Sequence, residues 1–349
     1  MGDENASARE TRGDRRGGIL EVAKLAGVSA STVSRVVNGR TSVDPALAER
    51  VRAAAAELGY RASPVARSLV LGRTQTVAVV VPDLSNPAFQ GMLHGITRAA
   101  ARDGYRVLVA DSAEDVDDEA SIARETRMRC DAIILCSPRT PLETLAELAP
   151  TLEPVVLVNR RLPGSGVPSV AVDYADGVER LAAHLAGLGH RRIAYLAGVR
   201  ASASDAVRRE GLARFAAAHA DVEIITIETG VGLADGGRVA DEVLDSGVTG
   251  VLAFNDLVAV GLMRSLVERG VPVPGEVSIT GFDDIPFAAY TTPALTTAEV
   301  PVDELGDLAW QRLAAVLGGT APDADEVLAP ELRLRDSTGP RRAEPPRGR

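Results

Sequence analysis

The sequence predicts an α/β protein with an all-α head followed by a body of two doubly wound, parallel-sheet halves. Two observations predict this fold class. Residues 20–38 contain two short apolar-periodic segments joined by a glycine-containing turn, which is typical of a helix-turn-helix. From Thr76 onward, short runs rich in β-branched residues alternate with amphipathic helical segments, as expected where helices cover both faces of a parallel sheet.

The helix-turn-helix opens the predicted head. Its spacing predicts helices over 20–26 and 30–37, and Ser29 stands where the second helix needs an N-cap. Valines form one face of the second helix, and the opposite face carries Ser31, Ser34, Arg35 and Asn38. Such a polar stripe suits the major groove of DNA, and the alternative is an amphipathic helix with a solvated face. The spacing of turn, cap and second helix favours DNA binding.

A third helix is predicted to complete the head. Asp44 is a suitable N-cap, Pro45 suits the first helical position, and Gly59 ends the helix. The linker that follows contains a short helix predicted over Pro64 to Leu69, which is too short to be stable alone. We therefore expect a disordered arm over 1–17, a head over 18–60 and a linker over 61–74.

The body contains more candidate strands than one small doubly wound domain holds, so two similar halves are predicted. The flexible composition of residues 162–168 places the break there. We expect a body over 75–336, with a first half of 75–161 and about 293–318, and a second half of about 166–291 and 322–336. A disordered tail is expected over 337–349. The candidate strands are 77–81, 106–110, 132–136, 155–158, 170–172, 193–196, 223–227, 251–254 and 278–281.

Charge is distributed unevenly along the chain. Residues 15–73 hold ten Arg and Lys against four Asp and Glu, whereas the whole chain of 349 residues has a net charge of −10. A basic head on an acidic body confines attraction for phosphates to the head, and salt should weaken that attraction. The charge pattern therefore favours double-stranded DNA as the partner of the head.

Other classes of protein lack support in the sequence. Cys130, Cys136 and the four histidines form no metal-ligand spacing, so we expect no metal site and no cofactor. The absence of a G-x-S-x-G elbow and of a Walker A run argues against an enzyme. No apolar run reaches the ~18 residues of a membrane span, and residues 1–18 lack the apolar core of a secretory signal. A cytoplasmic, nucleoid-associated location is expected.

Polar residues follow many of the predicted body strands. Ligands of open α/β sheets bind beyond the carboxyl ends of strands, and with two halves these ends face each other across a cleft. The polar groups suit a hydroxyl-rich ligand on which Phe89 stacks. The alternatives are that Phe89 belongs to the core, that Arg208 forms a surface ion pair, and that Asp256 is a helix N-cap. The residues that follow the carboxyl ends of the predicted strands, and are therefore selected as candidates for the cleft, are 82–89, 137–138, 159–160, 198–208, 255–256 and 282–284.

Residues 22–29 (VAKLAGVS) and 31–38 (STVSRVVN) resemble the N-terminal signature of the lactose/galactose repressor family. The resemblance covers residues 18 to about 335 and implies a bacterial transcriptional regulator with a body like that of periplasmic sugar-binding proteins. It implies that residues 30, 31 and 35 read bases and that Leu69, beside Ala66, is an apolar wedge in the minor groove. The alternative for Leu69 is packing on the body. The candidate DNA-binding residues are Ser29, Ala30, Ser31, Thr32, Ser34, Arg35, Asn38, Ala66 and Leu69.

The same resemblance narrows the candidate cleft. Residues 85–89 (SNPAF) resemble the family's SNPFF loop, with Ala88 replacing one aromatic residue, and Arg208 resembles the arginine that anchors effectors. Asn159 stands where an acidic residue is common, and Val231 where some members have an aromatic residue. The candidate effector-binding residues are Phe89, Ser137, Asn159, Ser204, Arg208, Asn255 and Asp283.

These observations predict a homodimeric repressor that binds a pseudo-palindromic operator and responds to a small molecule in the cleft. A sugar is the first expectation for that effector, and a purine or nucleoside is the second. The strongest rival class is a solute-binding protein, which should carry an export signal and no basic head. A ligand-independent architectural DNA protein is a further alternative.

Overall fold

The computed structural model describes residues 18–37, 43–60, 72–320 and 325–341. The chain divides into two compact units, residues 1–74 and 75–349, which we describe separately as the head and the body. Predictions for the arm over 1–17, for Asn38 and for the linker helix with Ala66 and Leu69 lie outside the described residues.

The head is a three-helix bundle whose core is formed by small and β-branched residues. Val22, Val33 and Val51, one from each helix, are fully buried at its centre. Gly27 turns the chain between the first two helices with a φ of 64°, a left-handed conformation that glycine adopts without strain. The helices are α1 (Ile19–Ala26), α2 (Ala30–Val37) and α3 (Pro45–Glu57).

Helix caps fix the boundaries of the head helices. The Asp44 carboxylate accepts hydrogen bonds from the backbone N–H groups of Ala46 and Leu47 at 2.9 and 3.1 Å, so Asp44 is the N-cap of α3. At the start of α1, the Glu21 carboxylate accepts a 2.8 Å hydrogen bond from the N–H of Gly18. Glu21 thereby satisfies one donor at a helix start where residue 18 has no side chain.

The first sheet of the body is entirely parallel, because each of its strands pairs with its neighbour in the same direction. Its strand order is β11-β5-β4-β3-β1-β2. Apolar side chains cover both faces of the central strands, as the near-continuous valine and isoleucine runs predict. The strands are β1 (Thr76–Val81), β2 (Arg106–Asp111), β3 (Ala132–Cys136), β4 (Val155–Val158), β5 (Ser169–Val172) and β11 (Glu326–Leu328).

The second sheet repeats this architecture with the order β12-β10-β9-β8-β6-β7. Its pairs are parallel except for β10 and β12, which are antiparallel. The strands are β6 (Arg192–Ala197), β7 (Glu223–Glu228), β8 (Gly250–Ala253), β9 (Ser278–Asp283), β10 (Thr296–Glu299) and β12 (Glu331–Arg333). An all-α head with two parallel-sheet halves confirms the predicted fold class.

Amphipathic helices connect the strands of the body. Their apolar faces pack on the two sheets, and each follows a strand except α10, which follows α9. They are α4 (Pro87–Arg102), α5 (Val116–Arg127), α6 (Leu142–Leu152), α7 (Tyr174–Gly187), α8 (Ala203–Ala218), α9 (Leu233–Arg238), α10 (Ala240–Asp245), α11 (Asp256–Glu268) and α12 (Val302–Leu317).

The division into halves differs from the expected one at three crossings of the chain. β5 pairs with β4 and belongs to the first sheet, so the chain first crosses near residue 173 and not at 162–168. β10 pairs with β9 in the second sheet, although residues 293–318 were expected in the first half. β11 pairs with β5 in the first sheet, although residues 322–336 were expected in the second half, and β12, which begins two residues later, lies in the second sheet. The half to which each of these strands belongs is determined by the strand it pairs with and not by the composition of the neighbouring loop.

The predicted disorder over 337–349 is wrong for residues 337–341. Ser337 is fully buried, and its hydroxyl donates to the carbonyl of Ile279 at 2.6 Å and accepts from the N–H of Thr296 at 2.8 Å. The N–H of Arg341 donates to the carbonyl of Leu188 at the end of α7. The composition is rich in Arg and Pro, but the backbone of this segment forms hydrogen bonds to β9, to Ala294 just before β10 and to Leu188 just after α7.

We expect Ser337→Ala to destabilise the body by about 1–3 kcal/mol, because the N–H of Thr296 and the carbonyl of Ile279 would each lose a buried partner. Leu334→Ala is the matched control, since the Leu334 side chain is exposed on the same segment. Thermal unfolding of the full chain measures both. Equal melting temperatures for the two variants would contradict the assigned role.

Candidate DNA-reading helix and effector cleft

Helix α2 separates an apolar face from a polar one. Val33 and Val36 are buried in the head core, whereas Ser31 and Arg35 are exposed on the opposite side. Thr32 and Ser34 lie at the edge of the polar face, half-buried, as does Ala30 at the start of the helix. The polar face is thus available for contacts outside the bundle.

Ser29 organises the start of α2. Its hydroxyl accepts a 3.2 Å hydrogen bond from the N–H of Thr32, which is the N-cap geometry that the sequence predicts. The same hydroxyl lies 2.7 Å from the Ser31 hydroxyl and 2.9 Å from that of Thr32. Three hydroxyls are therefore clustered at the N-terminus of the helix, where the backbone N–H groups also favour an anion such as a phosphate.

The seven predicted cleft residues line a single pocket between the two halves of the body. The pocket, counted with the part that is open to solvent, has a volume of about 550 Å³ and lies at the carboxyl ends of the strands of both sheets. The structure brings together residues from the carboxyl ends of six strands and from the turns and helices that follow them, with two of the residues on α8. These residues are Phe89, Ser137, Asn159, Ser204, Arg208, Asn255 and Asp283.

Arg208 is buried, not on the surface, at the centre of this pocket. Its guanidinium lies 4.2, 4.6 and 4.1 Å from the ring centres of Tyr174, Phe254 and Phe282. Nη1 donates to the carbonyl of Ser204 at 3.1 Å, whereas Nε has no hydrogen-bond partner in the described part of the chain. A desolvated cation held by aromatic rings is a strong donor for a ligand that brings acceptor oxygens.

Asp283 provides a carboxyl group in the same pocket. Its φ of 108° lies in the region that favours glycine, so neighbouring structure must hold this backbone in place. Desolvation raises the pKa of the Asp283 carboxyl to about 7, although the Arg208 guanidinium opposes the shift. Near neutral pH this group therefore exchanges between a hydrogen-bond acceptor and a donor.

Ser137 and Asn159 form the polar wall contributed by the first sheet. Both have left-handed backbones, with φ of 47° and 55°. The Asn159 amide donates from Nδ2 to the Ser137 hydroxyl at 3.2 Å, and its Oδ1 accepts from the N–H of Val172 at 3.2 Å. Asn159 thus joins the ends of β3, β4 and β5 beside the pocket.

Asn255, and not Asp256, is the N-cap of α11. Asn255 Oδ1 accepts from the N–H of Val258 at 2.9 Å, and Nδ2 donates to the carbonyl of Val231 at 2.9 Å. Asp256 is fully buried, where it accepts from the N–H of Ile285 at 2.8 Å and from the Thr297 hydroxyl at 2.6 Å. Asp256 therefore holds the turn after β9 and does not line the pocket.

Sequence reasoning missed an ion pair at the pocket wall. Arg139 donates from Nε and Nη2 to the two carboxylate oxygens of Glu114 at 2.6 and 2.7 Å, and the Arg139 side chain is only 4% exposed. Tyr174 and Phe254 were missed as well. Arg139 could have been selected as a cleft residue because it lies two residues after Ser137, and Glu114 because it lies just after β2. The sequence contains no sign that these two side chains form an ion pair.

A buried carboxylate fixes the first turns of α8, the helix that carries Ser204 and Arg208. Asp205 accepts from the Tyr195 hydroxyl at 2.7 Å, from the N–H of Gly198 at 2.9 Å and from Nε of Arg209 at 2.6 Å. These bonds tie the start of α8 to the end of β6. The position of Arg208 therefore depends on a hydrogen-bond network as well as on its aromatic neighbours.

No group of three or more His, Cys, Asp or Glu side chains within the four described ranges is placed to hold a metal ion. None of the helices in those ranges combines the length and the apolarity needed to cross a membrane. The side chains that line the pocket provide hydrogen-bonding groups, charges and aromatic rings, which suit the reversible binding of a polar small molecule.

Comparison with known proteins gives matches over both units. Residues 18–63 match the family described as bacterial regulatory proteins, lacI family, and residues 182–338 match the periplasmic binding protein-like domain. The HTH-type transcriptional regulator GalR of Escherichia coli (strain K12) is 34% identical over 332 residues, which cover 91% of this chain and 95% of GalR.

Two solved structures are similar as well. The Lac repressor dimer bound to operator and the anti-inducer ONPF has a TM-score of 0.84 at 27% identity, covering 93% of this chain and 100% of that chain. A LacI family transcriptional regulator from Enterococcus faecium with bound ribose has a TM-score of 0.69 at 28% identity, covering 76% of this chain and 99% of that chain.

A helix-turn-helix head joined to a two-sheet body with a polar cleft defines a DNA-binding transcriptional regulator that carries a ligand-binding domain. The chain belongs to the lacI family of bacterial regulatory proteins. Its relatives are transcriptional regulators, which confirms the predicted class and shows that the rival interpretations as an enzyme or as a solute-binding protein are wrong.

The raised pKa of Asp283 predicts a pH-dependent contribution to stability. The folded state holds this proton more tightly than the unfolded chain, so the contribution is complete below about pH 4 and is lost as the pH rises through about 7. Asp283→Asn mimics the protonated carboxyl. We expect its melting temperature to match that of the wild type at acidic pH and to exceed it above pH 7.

The difference in melting temperature between wild type and variant, followed across this pH range, isolates Asp283 from other titrating groups. Glu304→Gln removes an exposed carboxyl on α12 and serves as the control. A constant difference for Asp283→Asn at every pH would contradict the raised pKa.

Proposed function

We propose that this regulator is a homodimeric repressor that binds a pseudo-palindromic operator through α2. The observation that carries the proposal is the exposure of Ser31 and Arg35 on a helix whose Val33 and Val36 are buried. Arginine donates two parallel hydrogen bonds to guanine in the major groove, and short hydroxyls approach phosphates. The solved Lac repressor, which is bound to operator as a dimer, supports the same mode of binding.

The proposed domain organisation assigns residues 18–60 to DNA binding and residues 61–74 to a linker. Leu69, with Ala66 beside it, is proposed as the minor-groove wedge, on the strength of the sequence resemblance. The body, with its cleft, is proposed to bind the effector and to form the dimer. A regulator that reads chromosomal operators works in the cytoplasm, at the nucleoid, which is the location we propose.

The effector proposed for the cleft is a sugar or a sugar derivative. Arg208, Asn255 and Asp283 supply donors and acceptors, and Phe89 supplies an apolar ring at the pocket wall. This combination matches the alternating hydroxyl groups and C–H faces of a sugar ring. The Enterococcus faecium regulator with bound ribose supports this class.

A purine or nucleoside is the second candidate, because Phe89 also offers a surface for stacking a base. A planar base is held best between two aromatic rings. The ring of Phe254 already packs against the Arg208 guanidinium, so Phe254 cannot provide the second ring opposite Phe89. This arrangement favours the sugar.

Whichever ligand binds, the coupling between effector binding and operator binding is reciprocal. A ligand that weakens operator binding must itself bind the operator complex less tightly.

Arg35→Ala is expected to lose about 1–3 kcal/mol of operator affinity and to relax the preference for one base position. Fluorescence anisotropy with an operator selected from genomic fragments, and with random duplex DNA, measures the effect. Arg52→Ala is the matched control in the head, where Arg52 on α3 pairs with Glu49 at 2.9 Å. Equal losses on operator and random DNA would contradict base reading by Arg35.

Thermal-shift measurements test the effector. We expect D-ribose, D-galactose or cellobiose to raise the melting temperature of the full chain with the logarithm of its concentration, and adenosine and hypoxanthine to raise it less. Arg208→Met should abolish the shift. Arg214→Met on the same helix is the control, because the Arg214 side chain is 60% exposed and pairs with Glu179. Shifts with the purines alone would replace the sugar by the second candidate.

A further inference from the structure

We propose that Arg335 is a positioning residue of the effector cleft, which holds the turn that presents Asp283 to the ligand. This inference rests on the effector role proposed for the cleft. Arg335 does not line the pocket, and it lies in the C-terminal segment that follows β12. Arg335 acts through an ion pair with Asp284, the residue that follows Asp283.

The turn after β9 needs external support because two consecutive residues have left-handed backbones. Asp283 has a φ of 108° and Asp284 a φ of 55°. Such conformations are unfavourable for residues other than glycine and persist only where surrounding contacts fix them. The direction in which the Asp283 carboxyl points therefore depends on what holds the turn.

Arg335 supplies one of these contacts. Its Nη1 lies 2.7 Å from a carboxylate oxygen of Asp284 and donates to the carbonyl of Leu295 at 2.8 Å. The side chains of Arg335 and Asp284 are only 20% and 15% exposed, so water weakens this ion pair less than it weakens the surface pairs. The pair keeps the Asp284 carboxylate away from the pocket, whose wall includes Asp283 but not Asp284.

The backbone of Arg335 is itself fixed, which allows the side chain to act as a support. Its N–H donates to the Thr296 hydroxyl at 2.9 Å, and its carbonyl lies 3.2 Å from the same hydroxyl. The next residue, Asp336, donates from its N–H to the carbonyl of Ala294 at 3.0 Å. The guanidinium therefore extends from a segment anchored to β10 toward the turn after β9.

The remaining contacts of the turn act from other directions. Asp256 accepts the N–H of Ile285, and the N–H of Val300 donates to the carbonyl of Asp283 at 3.2 Å. Neither contact neutralises the Asp284 carboxylate. Among the ion pairs formed within the described ranges, that of Arg335 is the one that holds the side chain of Asp284.

The test separates a positioning role from a simple effect of charge. Arg335→Gln leaves the Asp284 carboxylate without its cation, which by charge alone would raise the titration midpoint of Asp283 above about 7. If Arg335 positions the turn, its loss frees the turn and lets the half-buried Asp283 carboxyl move further into water, and we expect the midpoint to fall by about one pH unit or more toward that of a solvated carboxyl. Arg208, Asp256, Asp284 and Tyr174 are the other ionisable groups around Asp283.

Carboxyl ¹³C NMR of the full chain, without ligand, measures this midpoint. Arg333→Gln is the matched control, because Arg333 lies two residues earlier and pairs with Glu299 and Glu331 rather than with the turn. It should leave the midpoint unchanged, and Arg335→Lys should restore part of the wild-type value. A rise or no change in Arg335→Gln would overturn the proposal.

Binding of D-ribose, D-galactose and cellobiose provides a second measurement. For whichever of these sugars binds the wild type, affinity should fall about tenfold or more in Arg335→Gln and in Asp284→Asn, with no further loss in the double variant. Additive losses would overturn the proposal. Asp284→Asn keeps the bond from Arg335 to the carbonyl of Leu295, so it remains informative if Arg335→Gln fails to fold. If none of the three sugars binds, the proposed effector class fails while the NMR titration still decides the role of Arg335.

Discussion

The buried guanidinium of Arg208 is the interaction around which the cleft is built. A cation removed from water is costly unless other groups replace its hydration, and here three aromatic rings and one carbonyl do so. The rings come from α7, from the end of β8 and from β9, so the second half of the body must be assembled before the cation is stabilised. Stability of this half and readiness of the cleft for a ligand therefore have the same structural origin.

Much of the fold could be predicted from the sequence because its signals are local. Each of the nine candidate strands is a strand in the structure, since buried parallel strands are marked by continuous apolar runs. β10, β11 and β12 were not predicted. They are short, and only their pairing with strands distant in sequence makes them strands, which no local pattern records. The same reason explains why the residues of β5, β10 and β11 were assigned to the wrong halves.

The candidate cleft shows a similar division. The rule that ligands bind at the carboxyl ends of strands, combined with the family resemblance, led to seven residues that do line one pocket. The ion pair between Arg139 and Glu114 could not be predicted, because it joins two strand ends whose proximity depends on the order of strands in the sheet. The tail over 337–341 was misjudged for a related reason: its composition resembles disorder, while its hydrogen bonds are made to partners about 40 to 150 residues earlier.

The three crossings between the halves have a mechanical consequence. The first crossing, near residue 173, is bonded directly to the third, between β11 and β12, because the N–H of Asp173 donates to the carbonyl of Leu328 at 2.8 Å. The third crossing is short, since only Ala329 and Pro330 separate β11 from β12. Connections this short cannot lengthen enough to let the halves slide or separate. Movement within the body is thereby restricted to rotation about an axis that passes close to these crossings, and the displacement produced by a given angle increases with distance from that axis.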